Sequence, residues 1–220
     1  MANSSNVIVV RTLAERVFEV VREQIVIGRL AGSTPIRQDA LAAELGVSKI
    51  PLREALGRLE QEGLLMSQAN RGYFVRPMSA EQAAEIYALR GSIEPAAAAH
   101  AAATADGPAR EAAIAAFERL DGAVHGNLGE VAVRHREFHI ALVRPGGRLL
   151  TTQLVERLSI LAERYVVAHL MPAGRESRAH REHRDLLDAW MARDGAALET
   201  LLSQHIAATL VDLEQQFATA

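Results

Sequence analysis

The 220-residue sequence contains no cysteine, which excludes disulfide bonds and any reaction that needs a thiol. It also lacks an N-terminal basic segment followed by an apolar run, which is the pattern of a secretion signal. No apolar stretch approaches the length that spans a membrane. From these absences we expect a soluble, cytoplasmic protein that has no membrane partner.

Residues 41–63 have the pattern of a helix-turn-helix. Leu41 and Leu45 give a short first helix its apolar face, and Gly46 ends that helix. Ser48 is placed to cap a second helix, whose apolar positions recur at helical spacing: Leu52, Ala55, Leu56 and Leu59. Three basic residues lie outside this stripe and are candidate DNA contacts: Lys49, Arg53 and Arg58. A recognition helix presents its N-terminal end to base edges, so the first two are expected at bases or nearby phosphates.

A β-hairpin wing is predicted directly after the second helix. Residues 64–68 and 73–77 are short apolar runs, separated by Ala69-Asn-Arg-Gly72. The wing places Arg71 and Gly72 at its tip, within reach of a phosphate or a minor groove, and Arg37 is a further candidate for the DNA backbone. Taken singly, each basic residue is equally consistent with a solvated surface charge. The prediction of DNA binding therefore depends on the order of the elements, a helix-turn-helix followed by a wing.

The chain as a whole has no excess of positive charge, since its formal net charge at pH 7 is −3. Residues 1–76 have a net charge of +2 and residues 77–220 a net charge of −5. The basic excess thus lies with the predicted DNA-binding part. Because this excess is small, we expect a dimer that uses two DNA-binding heads.

From residue 79 onward the sequence predicts six helices with short connections. They are predicted to begin after capping residues or Pro-Gly breaks, at Ser79, Asp106, Asn127, Gly147, Gly174 and Asp194. No strand pattern occurs among them, so we expect an all-α antiparallel six-helix bundle. The predicted fold is therefore mostly α, with a winged helix-turn-helix domain over residues 1–77 and a helical effector-binding and dimerisation domain over residues 78–220.

Four histidines of this bundle are candidate metal ligands. His135 and His139 are four residues apart, so one helix face can offer both imidazoles to one ion. His183 and His205 are each eleven residues from position 194, the centre of the last predicted helix hairpin, and should stand at one height. Four converging imidazoles suit Zn²⁺ or Ni²⁺. Taken singly, each is better explained as a surface or core histidine.

Arg90 lies in an otherwise apolar part of its predicted helix, where a buried guanidinium needs an anion. Two anions are consistent with this position. One is Glu94, a turn further along the same helix, and the other is the carboxylate of a bound effector. The sequence leaves both possibilities open.

The stretch from Leu41 to Gly63 carries the signature by which residues 11–76 resemble the winged helix-turn-helix of the GntR family of bacterial transcription regulators. Residues 79–216 resemble the ligand-binding domain of its FadR subfamily. The motifs of that second resemblance are Leu89-Arg90 with Glu94, Glu137-Phe138-His139, Glu182-His183, Asp194 and His205. Six helices instead of seven in this domain resemble the VanR-like branch.

The resemblance implies a homodimer that binds double-stranded operator DNA, and a bundle that binds a small organic acid beside a metal held by one Asp and three His. His139, His183 and His205 match the three histidines, and His135 stands at the position of the Asp. An all-His set should favour Zn²⁺ or Ni²⁺ over Mn²⁺ or Mg²⁺. A second departure is Lys49-Ile50, where the family usually has Arg-Thr.

The sequence therefore predicts a ligand-responsive transcription factor, a repressor of a catabolic or transport operon, in which a divalent metal and Arg90 hold the effector. Two alternatives stay open. The bundle could be a metal-dependent enzyme, since an open zinc position activates water, although no carboxylate is clearly placed as a general base. It could also belong to a regulator whose metal is purely structural.

Overall fold

The computed structural model describes residues 12–123, 127–172 and 174–219. The helices in this part are α1 Leu13–Val26, α2 Gln38–Leu45, α3 Lys49–Gln61, α4 Ala80–Thr104, α5 Gly107–Ala123, α6 Leu128–Val143, α7 Leu149–Leu170, α8 Arg175–Met191 and α9 Gly195–Ala218. Strands β1 Leu65–Gln68 and β2 Gly72–Val75 form a hairpin, and a short 3-10 helix covers Arg144–Gly146. The predicted fold class, mostly α with one small hairpin, is confirmed.

The chain divides into two compact units at the bond between Arg76 and Pro77. The first unit holds residues up to Ile25 and Arg29–Arg76, and the second holds Val26–Gly28 and the chain from Pro77 onward. Each unit has its own apolar core, as domains that fold separately do. The domain bounds 1–77 and 78–220 stay a prediction, and their outer ends, residues 1 and 220, lie outside the described residues.

The first unit contains the predicted helix-turn-helix. Helix α2 ends at Gly46, whose φ of 65° is the left-handed conformation that glycine adopts without strain. The apolar stripe of α3 is buried as predicted: Leu52, Ala55, Leu56 and Leu59. Ser48 does occupy the N-cap of α3, but its side chain makes no capping hydrogen bond. The expected cap is therefore correct in position only.

The wing follows α3, with Leu65 opposite Val75 and Gln68 opposite Gly72 in an antiparallel register. Asn70 and Gly72 have φ angles of 61° and 82°, which are the positive values that tight hairpins need. Gly72 is the first residue of β2 and not a residue of the turn.

The second unit consists of the six helices that the sequence predicts, α4 to α9. Helix α4 packs against α6, α7 and α9, so it lies at the centre of the bundle. Helix α8 ends at Met191. Arg193, whose φ is 59°, then turns the chain, and Asp194 accepts the N–H of Ala197 and caps α9.

The sequence Ser79-Ala-Glu-Gln82 predicts a closed capping box at the start of α4, and the structure forms half of it. The N–H of Gln82 donates to Ser79 Oγ at 3.1 Å, as the box requires. The reciprocal bond comes from another helix, because the N–H of Ser79 donates to the Tyr165 hydroxyl of α7 at 3.2 Å. That hydroxyl donates to Gln82 Oε1 at 2.9 Å. A tertiary contact thus replaces half of a local motif and fixes the start of α4 on α7.

Candidate metal centre and DNA-recognition helix

The four candidate histidines come together inside the helical unit. His135 and His139 project from α6, His183 from α8 and His205 from α9. One ring nitrogen from each lies within 4.8 Å of the others. All four side chains are buried. The ring centroids are 4.4 Å apart for the α6 pair and 4.7 Å apart for the pair across the α8–α9 hairpin. The convergence that residue spacing predicts is present in the fold.

Burial keeps His135, His139 and His183 neutral near pH 7. It lowers the pKa of His135 and of His183 well below the usual value, and neighbouring imidazoles lower both further. Burial also lowers the pKa of His139 to about 4, although its hydrogen bond to Glu94 opposes the shift. A neutral imidazole is the form that binds a metal ion. The site therefore presents several metal ligands that need not lose a proton first.

Two ring nitrogens of the cluster have no hydrogen-bond partner in the described part of the chain. Nε2 of His139 and Nε2 of His183 are fully buried and have no hydrogen-bond partner among the described residues. A buried polar atom without a partner is costly, and two of them in a four-imidazole cluster are the arrangement that a metal ion satisfies. A nitrogen-only donor set fits Zn²⁺ or Ni²⁺.

Glu94 is the anion that Arg90 contacts in the structure. The guanidinium makes a bidentate contact, with Nε to Oε1 at 2.5 Å and Nη2 to Oε2 at 3.1 Å, and both side chains are buried. Burial raises the pKa of Glu94, but Arg90 and His139 outweigh it and hold the pKa at about 2. Glu94 Oε2 also lies 3.2 Å from Nδ1 of His139. Arg90 is thus linked to the histidine cluster through Glu94.

Two small cavities adjoin the cluster, and both reach His135 and His183. One has mainly apolar walls that include Phe117, Leu120 and Val131. The other contains more polar groups: Arg90, Tyr87, His169 and Thr209. Each has a volume of about 20 Å³, which is room for about one water molecule. An organic acid therefore has to widen one of them.

The predicted DNA contacts all lie in the first unit. Lys49 and Arg53 are exposed on α3, one turn apart. Arg53 makes no ion pair with any residue that the structure describes, whereas Lys49 pairs with Asp39 of α2. Ser48 is exposed at the start of the same helix. The N-terminal end of α3 thus offers two cations on the surface that a recognition helix turns to DNA.

The other predicted contacts surround this helix or support it. Arg37 is exposed at the N-cap of α2, and Arg71 is exposed at the tip of the wing beside Gly72. Arg58 is exposed too, but its guanidinium lies 4.3 Å from the centroid of the Phe18 ring. That contact ties α3 to α1 by a cation–π interaction, which the sequence pattern does not reveal.

Ile50 is a surface residue that the sequence pattern marks only as a departure from the family. Its exposure is 71%, and it lies in the first turn of α3 between Lys49 and Arg53. Residue spacing does contain the signal, because position 50 falls outside the buried stripe of the helix. Glu182 is a second such residue: the sequence shows it only as part of the Glu182-His183 motif, whereas in the structure its carboxylate lies 2.7 Å from Nδ1 of His205.

Comparison with known families assigns this architecture. Residues 13–75 match the model of bacterial regulatory proteins, gntR family, and residues 85–208 match the FCD domain. The chain belongs to the GntR family of transcription regulators. Within the family it carries an FCD domain as its helical unit.

Curated relatives agree with this assignment over most of their length. The chain is 31% identical over 218 residues to the transcriptional regulator BphR of Paraburkholderia xenovorans, covering 94% of this chain and 87% of that protein. It is 29% identical to the repressor GlaR of Escherichia coli, covering 90% of this chain and 94% of GlaR. A probable D-xylose utilization operon repressor of Paenarthrobacter nicotinovorans is 30% identical, with 90% and 88% covered.

Solved structures support the fold. E. coli McbR/YncC superposes with a TM-score of 0.76 at 23% identity, covering 94% of this chain and all of that one. A putative GntR transcriptional regulator from Rhodococcus sp. RHA1 superposes with a TM-score of 0.75 at 22% identity, covering 92% of this chain and 97% of that one.

The curated relatives are transcription regulators and not enzymes. The chain is therefore a transcription regulator, and the enzyme alternative is set aside. In the described part of this GntR regulator, no helix is long and apolar enough to cross a membrane.

Proposed function

We propose that this GntR regulator is a repressor whose FCD domain binds one divalent metal ion through His135, His139, His183 and His205. The observation that carries the proposal is the convergence of four buried imidazoles, two of them with unpartnered Nε2 atoms. Zn²⁺ and Ni²⁺ are the ions that such ligands favour. Repression is supported by the two relatives named repressors, GlaR and the D-xylose operon protein. We propose that it acts in the cytoplasm, where its operator DNA lies.

The proposed effector is a small organic acid that binds beside the ion. Arg90 lines the more polar cavity together with His183 and His205, so its guanidinium is the group proposed to receive the carboxylate. Because Glu94 already neutralises Arg90, the effector has to share or displace that contact. When bound, the metal supplies a second positive charge for the acid. The six helices of this domain support its place in the VanR-like branch of the FadR subfamily.

A purely structural metal is the competing function, and one observation favours it. Four protein ligands fill a tetrahedral zinc shell, whereas sites that bind further ligands keep a position open. The small volume of both cavities points the same way. The two functions differ in what a metal-free variant does: a structural metal leaves effector-induced DNA release intact as long as the fold survives.

The DNA-contacting set that we propose contains Arg37, Ser48, Lys49, Arg53, Arg58, Arg71 and Gly72, with operator DNA as the partner. Lys49 and Arg53 are proposed at base edges or adjacent phosphates, because they lie exposed at the N-terminal half of α3. Arg37 and Arg71 are proposed at the backbone. Arg58, already packed on Phe18, is proposed at the edge of the interface.

Arg53→Ala should weaken binding to a specific site by about 1–3 kcal/mol if the guanidinium reads a base. The side chain is exposed and has no described ion-pair partner, so the fold should be unaffected. The site is obtained by selecting tight binders from random duplex DNA, and affinity is measured by gel shift at fixed salt. Arg16→Ala, an exposed arginine of α1, is the control. Equal affinity of wild type and Arg53→Ala would remove Arg53 from the interface.

Ile50 is proposed to contact a thymine methyl group, since an exposed branched apolar side chain in the first turn of a recognition helix has that function available. Selected duplex synthesised with deoxyuridine for thymidine lacks only these methyl groups. Wild type should bind it several-fold more weakly than the thymidine duplex, and Ile50→Ala should bind both alike. If wild type binds both duplexes equally, Ile50 does not read a methyl group.

The homodimer is proposed to form through an apolar face at the start of α7. Leu149, Leu150 and Leu154 are 71%, 70% and 46% exposed, and clustered exposed apolar side chains mark an interface. Leu150→Glu combined with Leu154→Glu should convert the protein to a monomer in sedimentation velocity and weaken operator binding. Val211→Glu, at a 50% exposed position of α9, is the control. A double variant that stays dimeric would locate the interface elsewhere.

A further inference from the structure

Two of the four histidines are hydrogen-bonded to a carboxylate on a neighbouring helix. Nδ1 of His205 lies 2.7 Å from Glu182 Oε2 of α8, and Nδ1 of His139 lies 3.2 Å from Glu94 Oε2 of α4. A carboxylate accepts a hydrogen bond and cannot donate one when ionised. Each contact therefore places the ring proton on Nδ1. Whenever such a ring carries a single proton, its free lone pair is on Nε2, the other ring nitrogen.

Each of the two carboxylates also forms an ion pair with an arginine of its own helix. Arg90 precedes Glu94 by four residues on α4, and Arg178 precedes Glu182 by four residues on α8. Arg178 Nε lies 3.4 Å from Glu182 Oε1, and the guanidinium is itself fixed by an ion pair with Asp212 of α9. In both cases an arginine one turn earlier on the same helix and a histidine from another helix lie against one carboxylate. The unit Arg–Glu–His thus occurs twice around the same cluster.

We propose that Glu182 and Glu94 are positioning residues of the metal centre, which fix the rings of His205 and His139 with Nε2 directed at the ion. The inference rests on the proposed function of the four histidines as a metal site. A carboxylate behind a ligating imidazole selects the tautomer, holds the ring orientation and raises the basicity of the ligand. Two ligands of the centre therefore have a fixed carboxylate partner: His139 on α6 and His205 on α9.

Glu182 gives the cleaner test, because its side chain is 29% exposed, whereas Glu94 is fully buried beside Arg90. Glu182→Ala should lower the affinity for Zn²⁺ and for Ni²⁺ about 10- to 100-fold. Glu182→Gln should lower it less, since its amide oxygen still accepts from Nδ1–H but carries no charge. Asp185→Asn removes an exposed carboxylate from the same helix and should leave the affinity unchanged. Competition with a chromophoric chelator at pH 7.5 measures these affinities in the full-length protein.

The tautomer of His205 provides a readout that a merely structural residue would not move. In the metal-free wild type at pH 8, ¹⁵N-correlated NMR of the imidazoles should assign the proton of His205 to Nδ1, and Glu182→Ala should shift it toward Nε2. A wild type that binds neither metal contradicts the proposed function, while the tautomer still tests the role of Glu182. Metal affinity and tautomer that are both unchanged in Glu182→Ala would overturn the inference.

Discussion

His139→Ala should lose most of its bound metal while keeping its fold and its affinity for operator DNA. His139 is 1% exposed, and its ring lies 4.4, 5.7 and 5.5 Å from those of His135, His183 and His205. Removing a ligand that contacts all the others leaves a three-histidine remnant, so we expect the affinity to fall on the order of 100-fold or more. Metal content after dialysis against Zn²⁺ or Ni²⁺ at pH 7.5 measures the loss.

The same variant separates a sensing metal from a structural one. DNA binding should persist because the helix-turn-helix belongs to a unit with its own core, and effector-induced release should be lost. His100→Ala is the matched control, since this half-buried histidine of α4 lies outside the cluster and should change neither property. Full metal content in His139→Ala would exclude His139 as a ligand. If His139→Ala loses its metal but still releases DNA normally when the effector is added, the metal is structural.

Glu94→Leu should lower the free energy of unfolding of the helical unit by about 3–5 kcal/mol, because it leaves the buried guanidinium of Arg90 without its anion. The single tryptophan of the chain, Trp190, is 1% exposed and donates to the carbonyl of Leu142 at 2.9 Å. Its fluorescence during urea unfolding therefore reports on this unit. The measurement is made on metal-free protein, so that loss of metal does not add to the effect.

The double variant Arg90→Met with Glu94→Leu is the control for that prediction. Removing both charges should restore much of the lost stability, since an apolar pair of similar volume often replaces a buried ion pair without cost. The two single substitutions then differ from the double by a large coupling energy. If the double variant loses as much free energy of unfolding as the two single variants together, the two charges do not stabilise each other.

Local patterns allowed most of the fold to be predicted. The apolar stripe of α3, the turn at Gly46 and the positive φ angles of Asn70 and Gly72 depend on residues close in sequence, and all are present. The pairing of His183 with His205 was also accessible, because the turn at Asp194 fixes the register of two antiparallel helices. The common principle is that helical spacing and turn chemistry act over a few residues.

What could not be predicted depends on tertiary choices between nearly equivalent partners. Arg90 could face Glu94 or a ligand, and only packing settles that it faces Glu94. The Ser79 box was predicted as a closed local motif, but the hydroxyl of Tyr165, far along the chain, replaces half of it. Glu182 could have been an ordinary surface acid of α8, and its contact with His205 follows from the geometry of the α8–α9 hairpin. The contacts of Tyr165 and of His205 join different helices, so local residue spacing does not reveal them.

X-ray absorption at the metal edge of the Zn²⁺-loaded or Ni²⁺-loaded protein tests the four-histidine site most directly. For zinc we predict a shell of four nitrogen ligands at about 2.0–2.1 Å, with the outer scattering that imidazole rings produce and one ion per chain. His139→Ala and His100→Ala, measured under the same conditions, should respectively lose the four-imidazole signal and retain it. A shell dominated by oxygen, or one with fewer than three imidazoles in the wild type, would contradict the assignment of His135, His139, His183 and His205 as a single metal centre.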